Sequence, residues 1–83
     1  MSSYATAQAT RFDRTVIEGN SLPGYEAELY RNNVLLDFQV VGDDGRFSFT
    51  DVPLQIGRNE IVVVQYGPQG QRREETFSFF VGP

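Results

Sequence analysis

Apolar and polar residues alternate at every second position in several short stretches of residues 23–70. The clearest stretch places Tyr25, Ala27 and Leu29 on one face of an extended chain and two glutamates with Tyr30 on the other. A strand turns successive side chains to opposite sides of its sheet, so this pattern predicts a strand with one buried and one exposed face.

Other stretches carry the same signal. The predicted strands cover residues 12–17, 25–30, 34–41, 46–50, 60–66 and 73–81. In the third of these the alternation groups four residues on one face: Val34, Leu36, Phe38 and Val40. In the predicted strands 46–50 and 73–81 the inward positions are expected to be Phe47, Phe49, Phe77, Phe79 and Val81. Residues 61–64 are apolar at every position, which predicts a central strand or one whose outer face meets a neighbouring module.

Turn residues separate the predicted strands at short intervals. They are Pro23-Gly24, Asn32-Asn33, Asp43-Asp44-Gly45, Gly57-Arg58-Asn59 and Gly67-Pro68-Gln69-Gly70. Pro53 has no amide donor, so residues 51–54 are expected to cross between sheets, with Val52 or Leu54 filling one end of the core. The pattern predicts an all-β fold, an antiparallel β-sandwich of about seven strands, Ig-like or prealbumin-like in type.

The chain divides into two parts by composition. Residues 1–10 are small and polar without periodicity, and we expect a flexible N-terminal segment, a linker or a loosely added edge. Residues 11–83 are expected to form a single domain, since a chain of 83 residues is near the lower limit for independent folding.

Three residue types are missing from the sequence, and their absence limits which crosslinks, metal sites and catalytic groups are possible. The sequence has no Cys and no His, and its seven basic residues are all Arg. Disulfides, thiolate metal sites, imidazole general bases and Schiff bases are therefore excluded. The sequence predicts a protein that is not an enzyme and that holds no cofactor.

The charge balance indicates which classes of partner the chain can bind. A net charge of −4 and a sequence pI of about 4.5 argue against nucleic acid and anionic membranes as partners. No stretch approaches the ~18 apolar residues of a membrane span, so no direct membrane insertion is expected.

The turns resemble those of the bacterial Ig-like repeats found in large surface and adhesin proteins. The motifs that carry the resemblance are Glu18-Gly19, Pro23-Gly24, Asp44-Gly45-x-Phe47, Gly57-x-Asn59 and Gly70. The chain is also similar to carboxypeptidase-regulatory-like and Cna-B-like sandwiches, although the isopeptide crosslink of some Cna-B-like domains cannot form without Lys. These families imply tandem modules of exported proteins, and a similar sandwich also accompanies outer-membrane barrels.

The best candidate for a functional surface is a set of outward-facing apolar and aromatic residues. It consists of Tyr30, Val62, Val64, Tyr66 and Phe80. Exposed aromatic rings can stack on sugars or anchor a protein interface, but they can also simply cover a strand.

Carboxylates supply weaker candidates. Asp43, Asp44 and Asp51 could contribute to a calcium site, but Asp and Gly are also favoured in hairpin turns for backbone reasons alone. The run Arg72-Arg73-Glu74-Glu75 is either a docking patch or a solvated strand start, and the second interpretation is favoured. Glu26 and Glu28 share a face, but it is the solvent face of a strand and not a hydrolytic cleft.

The sequence thus leads to a hypothesis about function. We expect a non-catalytic structural or interaction module, monomeric in isolation, within a larger exported bacterial surface or outer-membrane protein. The expected location is extracellular, at the cell surface or periplasmic, and the expected partners are neighbouring domains or another surface protein. The alternatives are a module that binds carbohydrate or calcium, and an accessory domain of an enzyme.

Overall fold

The computed structural model describes residues 6–11 and 13–83, with side chains from Asp13 onward. Within these residues the regular structure is all β. The strands are β1 (Thr6–Arg11), β2 (Arg14–Asn20), β3 (Glu26–Arg31), β4 (Val34–Val40), β5 (Arg46–Pro53), β6 (Gly57–Tyr66) and β7 (Arg72–Val81).

The strands form two antiparallel sheets. One sheet has the order β1-β2-β5, and the other has the order β4-β3-β6-β7. The chain passes from one sheet to the other between β2 and β3, between β4 and β5, and between β5 and β6. The all-β, two-sheet antiparallel architecture predicted from the alternation is confirmed.

One apolar core lies between the sheets. Ile17, Phe47 and Phe49 from the three-stranded sheet pack with residues of the other sheet. The full cluster of buried apolar residues is Ile17, Ala27, Leu29, Val41, Phe47, Phe49, Val52, Ile61 and Val63. Burial of this apolar surface is the main stabilising contribution, because the chain has no disulfide. Phe77 and Phe79 are half-buried at the margin of the core, and Val81 is buried.

Several turn predictions are confirmed by the backbone. Asn32 and Asn33 have φ values of 49° and 70°, and Gly45 has φ of 70°. These left-handed conformations suit Asn and Gly, the residues found there. Residues 51–53 belong to β5, so the crossing predicted over residues 51–54 begins only after Pro53, at the end of this edge strand. Val52 is buried in the core, as expected.

The face assignment of β4 is wrong in part. The register between β3 and β4 shifts so that Leu29 pairs with Asp37 while Tyr30 pairs with Leu35, which leaves Leu36 as an extra residue. A bulge of this kind reverses the side-chain parity that alternation assumes. Leu36 packs against the core, but two residues predicted to share its face are exposed on the outside: Phe38 at 51% and Val40 at 56%.

Gly57-Arg58-Asn59 begins β6 and is not a separate turn as predicted. The Asn59 side chain is fully buried and holds the preceding loop. Its Oδ1 accepts from the Gln55 amide at 2.8 Å, and its Nδ2 donates to the carbonyls of Gln55 and Gly57 at 2.8 and 3.1 Å. The Gly-x-Asn motif therefore fixes the crossing between sheets.

The N-terminal prediction falls partly outside the described residues. Residues 1–5 and Phe12 lie outside them, so nothing bears on the expectation for those positions. The backbone of Thr6–Arg11 pairs with β2 as an edge strand, and the strand predicted over 12–17 is β2, which begins at Arg14.

Candidate functional site

The outer face of the four-stranded sheet brings together most of the residues predicted to form a surface. Tyr30 lies opposite Val62 on β6, and Glu28 lies opposite Val64. Tyr66 lies two positions further along the same face of β6. Four of the five predicted residues are thus neighbours: Tyr30, Val62, Val64 and Tyr66.

These residues form a shallow depression that we call the tyrosine pocket. Its cavity volume is about 260 Å³, and it is lined by Tyr30, Asn33, Val62, Val64, Tyr66, Arg72 and Glu74. Although Val64 points away from the core, it is only 5% exposed. The register places Tyr30 diagonally across from Val64, and Tyr66 beside it along the strand. Flanking aromatic side chains thus enclose an apolar floor on the outside of the molecule.

Polar groups at the rim of the pocket are held by hydrogen bonds. The Tyr30 hydroxyl donates to Glu28 Oε1 at 2.7 Å, and this bond is the main reason that the pKa of Tyr30 is raised above 10.0. The Arg72 guanidinium contacts Glu74 Oε2 at 2.6 Å, and hydrogen bonds to Glu74 and Tyr66 raise the pKa of Arg72. Both shifts keep the ordinary protonated forms at neutral pH. Such groups are suited to hydrogen bonding with a bound molecule and not to proton transfer near neutrality.

Sequence reasoning missed the apolar strip on β4 beside this pocket. The strip consists of Leu35, Phe38 and Val40, each more than half exposed. Leu35 lies next to Tyr30, and Phe38 lies next to Glu28. The bulge at Leu36 puts Phe38 and Val40 on this face, and no Gly or Pro in β4 marks that bulge in the sequence.

Phe80 is on the same face but apart from the pocket. It pairs with Arg58 near the opposite end of β6 and β7 and is 77% exposed. The Glu60–Ser78 pair lies between it and Val62, the pocket residue at that end of the pocket. The structure therefore does not bring Phe80 together with the other four predicted residues.

The carboxylate candidates are separate from this face. Asp43 and Asp44 lie in the β4–β5 turn, where Asp44 Oδ1 accepts from the Arg46 amide at 3.0 Å. Asp51 lies in β5 with φ of 55°. Among residues 6–11 and 13–83, no group of three or more His, Cys, Asp or Glu residues is placed to hold a metal ion. The calcium hypothesis gains no ligand cluster from the described residues.

The Arg72-Arg73-Glu74-Glu75 run is divided between the two faces of the sheet. Arg72 and Glu74 line the tyrosine pocket, while Arg73 and Glu75 are on the inner side at one end of the sandwich. Arg73 Nη2 donates to Gln65 Oε1 at 3.0 Å, and Gln65 Nε2 donates to Glu75 Oε1 at 3.2 Å. Half of the run therefore satisfies the buried Gln65, a role that its charge alone did not suggest.

Comparison of the chain with protein-family models, curated proteins and solved structures gave no match. Over the described part of the chain, no helix is long and apolar enough to span a membrane.

Proposed function

We propose that this chain is a non-catalytic Ig-like module of a larger exported bacterial surface or outer-membrane protein. In this proposal the outer face of the four-stranded sheet binds a neighbouring domain or another surface protein. The tyrosine pocket and the apolar strip together form the contact area.

The strand connections support the Ig-like assignment. Greek-key crossings between two antiparallel sheets are the hallmark of such sandwiches, and β2 pairs with β5 as in the constant-type arrangement. In that arrangement the fourth strand also pairs with the fifth, whereas β4 here pairs with β3. Because β4 lies beside β3 and not beside β5, the sheet that contains β5 has three strands and the other sheet has four.

The observation that carries the proposed binding role is the exposure of the apolar strip. Leu35, Phe38 and Val40 are neighbours on an edge strand, and Leu35 lies beside Tyr30. A contiguous apolar patch on a small soluble domain is typical of an interaction site, and tyrosine is enriched among interface residues that dominate binding energy. Single exposed apolar residues would need no such explanation.

Site-specific photocrosslinking tests this proposal. A benzophenone amino acid replaces Phe38 within the full gene product in its native host, and crosslinked peptides are identified by mass spectrometry. The matched control places the same group at Thr50, which is exposed on the other sheet. We expect a defined crosslinked peptide from position 38 and none from position 50. Equal crosslinking at the two positions, or none at either, contradicts the proposal.

A carbohydrate ligand is a second candidate, favoured by the tyrosine pocket. Aromatic rings beside an apolar floor can pack against the carbon-bound hydrogens of a sugar, and Asn33 and Arg72 supply hydrogen-bonding groups at the rim. A glycan array with the parent protein and with Tyr66→Ala tests this. Binding that is lost in the variant supports a sugar site, whereas an array without binding removes this candidate.

A further inference from the structure

Within the described part of the chain, the two sheets have four edge strands, and three of them carry features that hinder pairing with another chain. β1 has a register shift between Ala9 and Arg11. β4 has the bulge at Leu36, and the carboxylate of Asp37 accepts the Phe38 amide at 2.7 Å. Bulges and side-chain capping of this kind protect natural sheet edges from edge-to-edge association.

The third protected edge, β5, is closed by a side chain of the other sheet. Gln39 Nε2 donates to the Ser48 carbonyl at 3.2 Å, and Gln39 Oε1 accepts from the Ser48 amide at 2.8 Å. The amide of Gln39 thereby takes the place of a neighbouring strand. β5 also has Asp51 in the left-handed conformation, and it ends at Pro53.

The fourth edge, β7, has none of these interruptions. It is ten residues long and pairs with β6 in one continuous register from Gly57–Val81 to Tyr66–Arg72. It contains no Pro, no residue with positive φ, and no charge from Thr76 to Val81. A long, regular edge that is uncharged over its last six residues is of the type that accepts an added strand.

The hydrogen-bond pattern shows which backbone groups face outward. The Gly67 amide donates to the Gln71 carbonyl at 2.8 Å, so these residues form a hydrogen-bonded pair at the start of the hairpin. Because such pairs alternate along an antiparallel ladder, the odd-numbered residues of β7 bond to β6. The amides and carbonyls of the even-numbered residues, from Arg72 to Phe80, therefore point towards the open edge.

We propose that β7 is a strand-addition site for a second copy of this chain. The two copies pair antiparallel about a two-fold axis at Thr76 and form one continuous eight-stranded sheet, four strands from each copy. In this register Arg72 lies opposite Phe80 of the second copy, and Arg73 lies opposite Phe79. Arg72 can then stack on the exposed Phe80 ring, and about ten backbone hydrogen bonds join the two edges.

The sequence of β7 favours this register over the one in which the two-fold axis lies at Phe77. If the axis moves to Phe77, residues 73–81 still overlap, but Glu74 then lies opposite Phe80 and Glu75 opposite Phe79. A carboxylate gains nothing from the negative face of a ring, whereas a guanidinium does. Phe80 is 77% exposed, more than any other large apolar side chain of the described residues, and the proposed register places Arg72 of the second copy beside it. The sequence led us to expect a monomer, so a measurement of the oligomeric state decides between the monomer and this dimer.

Charge substitution at the axis tests the proposal by sedimentation velocity over a concentration series reaching millimolar chain. The parent is expected to dimerise, more strongly as salt screens the net charge of −4 on each copy. Thr76→Lys and Thr76→Glu each place like charges directly opposite, so each alone is expected to raise the dimer Kd at least about tenfold. An equimolar mixture of the two variants is expected to recover the dimer, because opposite charges then meet.

Thr50→Lys, on an exposed position of β5, is the matched control and should dimerise like the parent. Circular dichroism of each variant checks folding, and recovery in the mixture occurs only with folded partners. A parent that stays monomeric at the highest concentration overturns the proposal. So does a Thr76→Lys variant that dimerises as the parent does, or a mixture of folded variants that stays monomeric.

Discussion

Over residues 61–64, the two faces of β6 are equally apolar and differ in what covers them. On β6, Ile61 and Val63 face inward and are fully buried beneath the second sheet. Val62 and Val64, between and beside them, face outward and are covered only by neighbouring side chains such as the tyrosines. An apolar face therefore becomes core only where another layer lies on it, and otherwise it is a candidate for binding.

The largest expected effect is a difference in stability between a variant in the core and a variant on the outer face. Phe47→Ala removes a ring that is 1% exposed at the centre of the core, and we expect a loss of about 3–5 kcal/mol in the free energy of unfolding. That is most of the stability of a domain this small. Urea denaturation measures it. Phe38→Ala on the outer face is the control, with an expected change within about 0.5 kcal/mol. Similar losses for both would mean that the outer face is also core.

A smaller effect concerns a polar residue on the inner face. Asn59→Ala removes the three hydrogen bonds that this buried side chain makes to the backbone of the β5–β6 crossing, so we expect a loss of about 1–3 kcal/mol in the free energy of unfolding. Thermal or urea unfolding measures this loss. Gln55→Ala is the control, since Asn59 binds the backbone of Gln55 and not its exposed side chain. An Asn59 variant as stable as the control would contradict the role given to this motif.

Gln39 tests how the two sheet edges are joined. Gln39→Ala removes both hydrogen bonds to the Ser48 backbone, and a loss of about 1 kcal/mol is expected. Amide exchange at Ser48 should become faster at the same time. Gln39→Glu keeps the acceptor but loses the donor, so it should fall between parent and Ala variant. Unchanged exchange at Ser48 in the Ala variant would show that another group protects this edge.

The smallest effect is a titration on the outer face. Glu28→Gln removes the charged acceptor of the Tyr30 hydroxyl, so the pKa of Tyr30 should move down towards 10.0. Because folding raises this pKa, its contribution to stability is complete below the ordinary pKa and is lost as pH rises through the folded value. Tyrosinate absorbance against pH, assigned by NMR, measures the shift. Glu26→Gln, which alters a neighbouring carboxylate without that bond, should leave Tyr30 unchanged.

The sequence predicted the parts of the fold that depend on short-range chemistry. Alternation in residues 25–30 assigned Ala27 and Leu29 to the core, and both are buried. Asn32 and Asn33 were expected to adopt positive φ, and they do. It also gave four adjacent residues of the candidate site, because regular strands keep their parity. The sequence did not predict the apolar strip, because the bulge at Leu36 depends on the register in which β4 pairs with β3.

The sequence by itself therefore determined the positions of most strands, the conformations of several turns and the absence of Cys, His and Lys chemistry, all of which follow from residue type and local spacing. The tertiary structure alone decided that Phe38 and Val40 face outward, that Asn59 and Gln39 join segments across the sandwich, and that β7 remains an open edge. The physical reason is that register and coverage are set by partner strands distant along the chain. Alternation within one strand carries no information about either.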